Sequence, residues 1–215
     1  MRPPLPDATT TALDTYLDEL ARWSAHLNLT AVPREQAWSR HIEQALDLLD
    51  VAAPAPGCRV VDIGSGGGVP AVVFAIVRPD IRVTMLEADV RKSGFLVHIA
   101  GMLGLRNVEV ESIRAEKAGR RAGTRESFDL ATSRATAPPD VLCELALPLL
   151  KVGGSLCALV TDAPSTLAAC AAAAEACGGG EPRAPTNDVL RIMKVSPTPA
   201  DYPRRDGVPS RQPIN

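Results

Sequence analysis

Apolar side chains recur at three- and four-residue steps along the first fifty positions. They fall at Leu13, Leu17, Leu20, Trp23 and Leu27 and again, after Pro33, at Ile42, Leu46 and Leu49. A helix with one buried face imposes that period, so residues 10–50 are predicted to be helical. The proline- and glycine-containing segment 53–58 breaks the pattern, and a short β-branched run, Val60-Val61-Asp62-Ile63, replaces it. From there strand-like and helix-like stretches alternate. Strand 60–63 precedes helix 71–77, strand 82–86 precedes helix 91–103, and strand 108–111 precedes a polar loop. Strand 128–132 precedes helix 139–150, stopped by Gly153-Gly154; strand 155–160 precedes the alanine-rich helix 165–176, stopped by Gly178-Gly179-Gly180; strand 189–195 is the last. Repeated strand-helix units predict an α/β protein with a mostly parallel, doubly wound sheet. The expected organisation is a helical arm (1–55), a main domain (56–195) and an extended tail (196–215) rich in proline and arginine.

With 46% hydrophobic but only 3% aromatic residues, the core must be aliphatic, and wholesale disorder is excluded. The 23 Lys and Arg balance 25 Asp and Glu to a net charge of −2, so any hold on a polyanion has to be local. Two segments offer one: Arg114, Lys117, Arg120, Arg121 and Arg125 in the polar loop, and Arg204, Arg205 and Arg211 in the tail. Five cysteines without a C-x-x-C pair fit neither a disulfide framework nor a zinc site, which points to reduced thiols and a cytoplasmic setting. The run 72–77 is the longest strongly apolar stretch and falls far short of the ~20 residues that span a bilayer, so no membrane role is expected.

The densest chemical signal is Asp62-Ile63-Gly64-Ser65-Gly66-Gly67-Gly68-Val69-Pro70, between a strand and a helix. That is the ligand crevice of a doubly wound sheet. Two cofactors compete for it. Gly66, Gly68 and Ala71 satisfy the spacing of a nicotinamide-dinucleotide loop, with Glu87 ending the next strand as a ribose-binding acid. Asp62 favours S-adenosylmethionine instead, because a carboxylate at the loop would repel a pyrophosphate and attract an ammonium and a sulfonium.

Taken with its neighbours, the loop resembles that of the bacterial small-subunit ribosomal RNA guanine-N7 methyltransferases, historically the glucose-inhibited division protein B family. The resemblance extends over Asn28-Leu29-Thr30-Ala31-Val32, Arg40-His41-Ile42, Leu86-Glu87-Ala88, Arg91-Lys92, Arg114-Ala115-Glu116, Ser133-Arg134-Ala135 and the tail motif from Tyr202 to Pro209. It implies a Rossmann-like class I S-adenosylmethionine-dependent methyltransferase fold that works as a monomer on 16S ribosomal RNA or the small ribosomal subunit. By that resemblance Gly64 and Val69 lie against the methionine part of S-adenosyl-L-methionine, and Glu87 accepts the ribose hydroxyls. Ala115 and Glu116 flank the adenine, and Arg134 sits over the cofactor near the incoming base. Asp62, Gly66, Gly68 and Ala88 complete the cofactor set, while Asn28, His41, Arg204 and Arg205 face the RNA. Guanine N7 carries a lone pair and no proton, so no catalytic residue is expected and no metal is needed. His98 reads as structural.

Three positions depart from the family pattern. Val160-Thr161 stand where a lysine-glycine pair is usual, Asp188-Val189 replace an arginine-histidine pair, and Gln44 replaces an acid. Lys151 and Lys194 are the candidates to supply the missing cation. The departures keep two alternatives open: a divergent methyltransferase acting on another RNA or a small molecule, and a cofactor-binding protein that docks on ribosomal particles without turnover.

Overall fold

The computed structural model describes residues 2–214. The opening repeat forms one 21-residue helix, α1 (Asp7–Leu27), with Leu13, Tyr16, Leu17 and Leu20 buried. It ends where Asn28 turns left-handed (φ 50°) and returns its N–H to the Ser24 carbonyl at 3.2 Å. α2 (Arg34–Ala37) leads through the π-helical residues Trp38–Glu43 into α3 (Gln44–Ala52). The widened turn buries His41 and Ile42.

Five parallel strands follow: β1 (Arg59–Ile63), β2 (Arg82–Leu86), β3 (Val108–Glu111), β4 (Phe128–Arg134) and β5 (Leu150–Leu159). β6 (Arg183–Thr186) and β7 (Val189–Met193) form an antiparallel pair that adds to β5, giving the order β3-β2-β1-β4-β5-β7-β6. Alternate residues of each strand enter different cores, as the pleat requires. Val60, Val83 and Leu130 join α1, α4 (Ala71–Val77) and α5 (Val90–Met102) on one face. Val61, Leu86 and Ala131 join α6 (Ala115–Ala118), α7 (Pro139–Ala146) and α8 (Ala163–Ala176) on the other. The helices of the arm therefore share one apolar cluster with the sheet. The strand order reverses between β1 and β4, which places a crevice at their carboxyl ends. No helix among the described residues is long and apolar enough to cross a membrane.

Three expectations are corrected. The helix expected over 139–150 stops at Ala146, and Leu147–Leu149 form a 3₁₀ turn around Pro148, which has no N–H to continue the ladder. Gly153 and Gly154 lie inside β5 instead of capping a helix. Gly153 has φ +90°, and a Cβ on Gly154 would come within 2.8 Å of the Asp129 carbonyl, so the pair absorbs the register shift between β4 and β5. The tail is not extended. It turns back over the α6–α7 side and carries a short helix, α9 (Val208–Arg211). β6, with Pro185 on an edge strand, carries no alternating apolar signal and was not expected.

Candidate functional site

The glycine loop is shaped from both sides. The Gly64 and Ser65 N–H groups both reach the Leu86 carbonyl, at 2.9 and 3.1 Å, which ties the loop to the end of β2. Gly64 has φ +64°, and a Cβ there would overlap the Thr136 side chain. From the arm, the Tyr16 hydroxyl donates to the Gly67 carbonyl at 2.7 Å. Glu87, at the end of β2, accepts the Gly66 N–H through one oxygen and the Asp89 N–H through the other, each at 2.8 Å. One buried acid thus holds both the loop and the start of α5.

A cavity of about 550 Å³ opens above this loop. Of the expected cofactor residues, Gly64, Gly66, Val69, Glu87, Ala88, Ala115, Glu116 and Arg134 line it. Asp62 and Gly68 do not. Gly68 packs under the loop, where a Cβ would meet Val72 Cγ2 at 2.6 Å. Asp62 is buried beside Thr132, whose hydroxyl donates to it at 2.7 Å, and burial pushes its carboxyl up to about 7. The electrostatic reason for preferring a cationic cofactor is therefore corrected: Asp62 supports the strand ends and presents no charge to the cavity. Glu116 has the opposite balance. Burial raises its pKa, but hydrogen bonds from Arg114 (2.9 Å) and from the Gly207 N–H (2.9 Å) outweigh that and leave it below the usual range.

The cavity also takes residues that the sequence pattern alone does not mark as site residues: Leu29, Thr30 and Ala31 from the turn after α1, Lys92 from α5, Ile113, and Ser210 from the tail. The first three and Lys92 lie within motifs already quoted; Ser210 had no signal, because its placement depends on the tail folding back. Asn28 closes α1, is exposed and does not line the cavity.

A second cavity, about 540 Å³, adjoins the first across the shared residues Arg134, Ala135, Thr136 and Ala137. All three departures from the family pattern reach this cavity: Gln44, Val160, Thr161 and Asp188 line it, together with Arg40, and of the five residues involved only Val189 does not. Neither lysine proposed as a substitute cation reaches it. Lys151 pairs with Asp129 at 2.8 Å, and Lys194 is buried against the Leu147 and Cys177 carbonyls at 3.0 and 2.8 Å. Burial lowers the Lys194 ammonium to about 8. His41 is buried with both ring nitrogens engaged, and burial and the adjacent Arg134 lower it to about 4.

The two basic segments largely hold each other. Arg120 donates to the Pro203 carbonyl at 2.6 Å, and Arg125 to the carbonyls of Tyr202 and Thr198, both at 2.7 Å. Lys117 pairs with Asp206 at 3.4 Å and Arg121 with Glu111 at 2.6 Å. Arg204 forms a bidentate pair with the buried Glu144 at 2.6–2.9 Å. Of the two tail arginines expected to face RNA, Arg205 remains exposed.

A sequence model of the family described as rRNA small subunit methyltransferase G matches residues 9–183. Proteins named ribosomal RNA small subunit methyltransferase G resemble the chain along nearly its whole length. That of Moorella thermoacetica is 36% identical over 94% of this chain and 89% of its own, and that of Chloroflexus aggregans is 37% identical over 98% and 92%. Among solved structures, an S-adenosylmethionine-dependent O-methyltransferase of Thermotoga maritima superposes with a TM-score of 0.59 at 12% identity, covering 84% of this chain and 72% of its own. A precorrin-6y C5,15-methyltransferase of Geobacter metallireducens gives 0.52 at 16% identity, covering 71% and 88%. At these identities the likeness is one of fold: the Rossmann-like class I methyltransferase architecture.

Proposed function

The chain belongs to the rRNA small subunit methyltransferase G family, and on that premise we propose that it methylates N7 of a guanosine in 16S ribosomal RNA. The methyl donor is S-adenosylmethionine, which supplies a methyl group activated on a sulfonium. The first cavity fits this molecule. Glu87 spends one lone pair of each oxygen on a backbone N–H and keeps others for a ribose diol. Ile113 and Ala115 offer an apolar wall for an adenine, and the side-chain-free faces of Gly64 and Gly66 allow close approach of the methionine part.

The observation that carries the reading is the adjacency of the two cavities across Arg134–Ala137, one for a donor and one for an acceptor. Transfer to N7 asks only for alignment, because no proton leaves with the attack. That requirement agrees with the state of His41, which lines neither cavity and has both ring nitrogens engaged within the protein. The protein acts in this reading as a cytoplasmic monomer. Small subunits and naked 16S RNA incubated with radiolabelled donor should yield N7-methylguanosine at one position. Absence of label from both, with tight binding of S-adenosylhomocysteine retained, would overturn the substrate. Gly64→Asp should abolish binding of S-adenosylhomocysteine in calorimetry, since the new side chain would fill the approach to the loop.

One observation favours a second reading. Gln44, Val160, Thr161 and Asp188 make the acceptor side less cationic than the family pattern, which suits a different acceptor. Label appearing in another RNA, or in a small molecule, would select it.

A further inference from the structure

Arg134 lies on the wall between the two cavities, and its orientation is set from the arm. Its Nη1 donates to the Arg40 carbonyl at 3.1 Å and to His41 Nδ1 at 2.8 Å. A guanidinium has only donors, so Nδ1 must accept. The ring proton is therefore on Nε2, where it donates to Thr30 Oγ1 at 2.9 Å; that oxygen also accepts the Val32 N–H at 3.0 Å. His41 itself sits in the π-helical turn, which aims it inward.

We propose that neutral His41 is a positioning residue: accepting from Nη1 through Nδ1, it fixes Arg134 so that the remaining guanidinium donors meet the O6 of the incoming guanine and leave N7 facing the methyl donor. The chemistry restricts the contact to O6. A guanidinium commonly takes guanine O6 and N7 together, but donation to N7 would occupy the lone pair that has to attack. Both Nη1 hydrogens are held by the arm, and Nε and Nη2 have no protein acceptor among the described residues. Turning the ring would set the Cδ2 carbon against the guanidinium, and adding a proton at Nδ1 would set a donor there. The low affinity of this imidazole for protons, near pH 4, fits the same arrangement.

This inference rests on the proposed N7 methylation, so its test has a readout that does not depend on turnover. In ¹⁵N spectra His41 should show an unprotonated Nδ1 and a protonated Nε2 from pH 5 to 8, with the Nδ1 resonance shifting in Arg134→Gln. A proton on Nδ1 above pH 6 overturns the inference and leaves the proposed reaction standing. In turnover, His41→Leu should lower kcat about 100-fold, the usual scale for a misplaced contact, while the Kd for S-adenosylhomocysteine changes less than about threefold. His41→Asn places an oxygen where Nδ1 was and should recover most of that loss. His41→Gln restores only the donor to Thr30 and should not. Equal losses in Asn and Gln, or a fall in cofactor affinity matching the fall in kcat, would reduce His41 to a structural residue. If wild-type enzyme forms no N7-methylguanosine while the spectra are as expected, the reaction fails and with it the O6 contact.

Discussion

The two flanks of the first cavity are held by opposite physics. On the arm side, Leu13, Tyr16, Leu17 and Leu20 are at most 1% exposed, and the contact to the loop is one hydrogen bond between uncharged groups. On the tail side every contact has at least one charged partner: Arg204 on buried Glu144, Arg114 and the Gly207 N–H on Glu116, Arg125 on tail carbonyls, and Lys194 buried near Glu126 at 3.7 Å. An apolar contact loses stability in proportion to the atoms removed. A buried ion pair gives little net stability while intact, yet losing one partner leaves a buried charge exposed to no solvent and no counterion. The tail should therefore be the more brittle of the two.

The largest expected effect tests that brittleness. Arg204→Ala should destabilise the fold by about 3–5 kcal/mol in urea unfolding, whereas the double variant with Glu144→Ala should recover part of the loss. A cost under about 1 kcal/mol would erase the contrast between the flanks. Next in size is Asp62, a buried ionisable group near the end of β1. The folded protein keeps its proton up to about pH 7, while the unfolded chain releases it near 3.8. Between those values the unfolded state binds fewer protons, so stability falls as pH rises. Asp62→Asn retains an acceptor for Thr132 and cannot ionise. Its stability relative to wild type should rise between pH 5 and 8 by on the order of 2 kcal/mol, and a flat difference would mean that the carboxyl is solvated. Tyr16→Phe removes one buried hydrogen bond and should cost about 1 kcal/mol, with a measurable weakening of S-adenosylhomocysteine binding through the freed Gly67 carbonyl. Smallest is Arg205→Ala. It should leave thermal stability within about 0.5 kcal/mol and flatten the salt dependence of RNA binding, unlike its neighbour Arg204.

What was legible in the sequence follows from range. The glycine loop, the helix 71–77 and the strand 82–86 depend on neighbouring residues, and their bounds agree with α4 and β2. Glu87 was identified by its place at a strand end, which local periodicity reveals. Partners distant in the chain left no such trace. Arg204 and Glu144 lie 60 positions apart and Glu116 and Gly207 91 apart, so the pattern of the tail did not show that the charge of Arg204 is committed to the protein. Asp62 was misjudged for a related reason. Its depth comes from pairing with Thr132 across β1 and β4, a register that the strand's own pattern does not contain. The role of His41 was likewise hidden, because its tautomer is dictated by an arginine 93 positions away.

The tail's contacts to buried acids also bear on the order of events during synthesis. Glu116 and Glu144 are made long before Gly207 and Arg204, the groups that satisfy them. A nascent chain can assemble β1 to β7 and bury the arm while both acids still lack those partners. The floor and the arm-side wall of the first cavity therefore form before its last wall, and Ser210 arrives after every other residue that lines it. The last wall of this cavity is then a late addition to the growing polypeptide, closed when the tail has left the ribosome and docked.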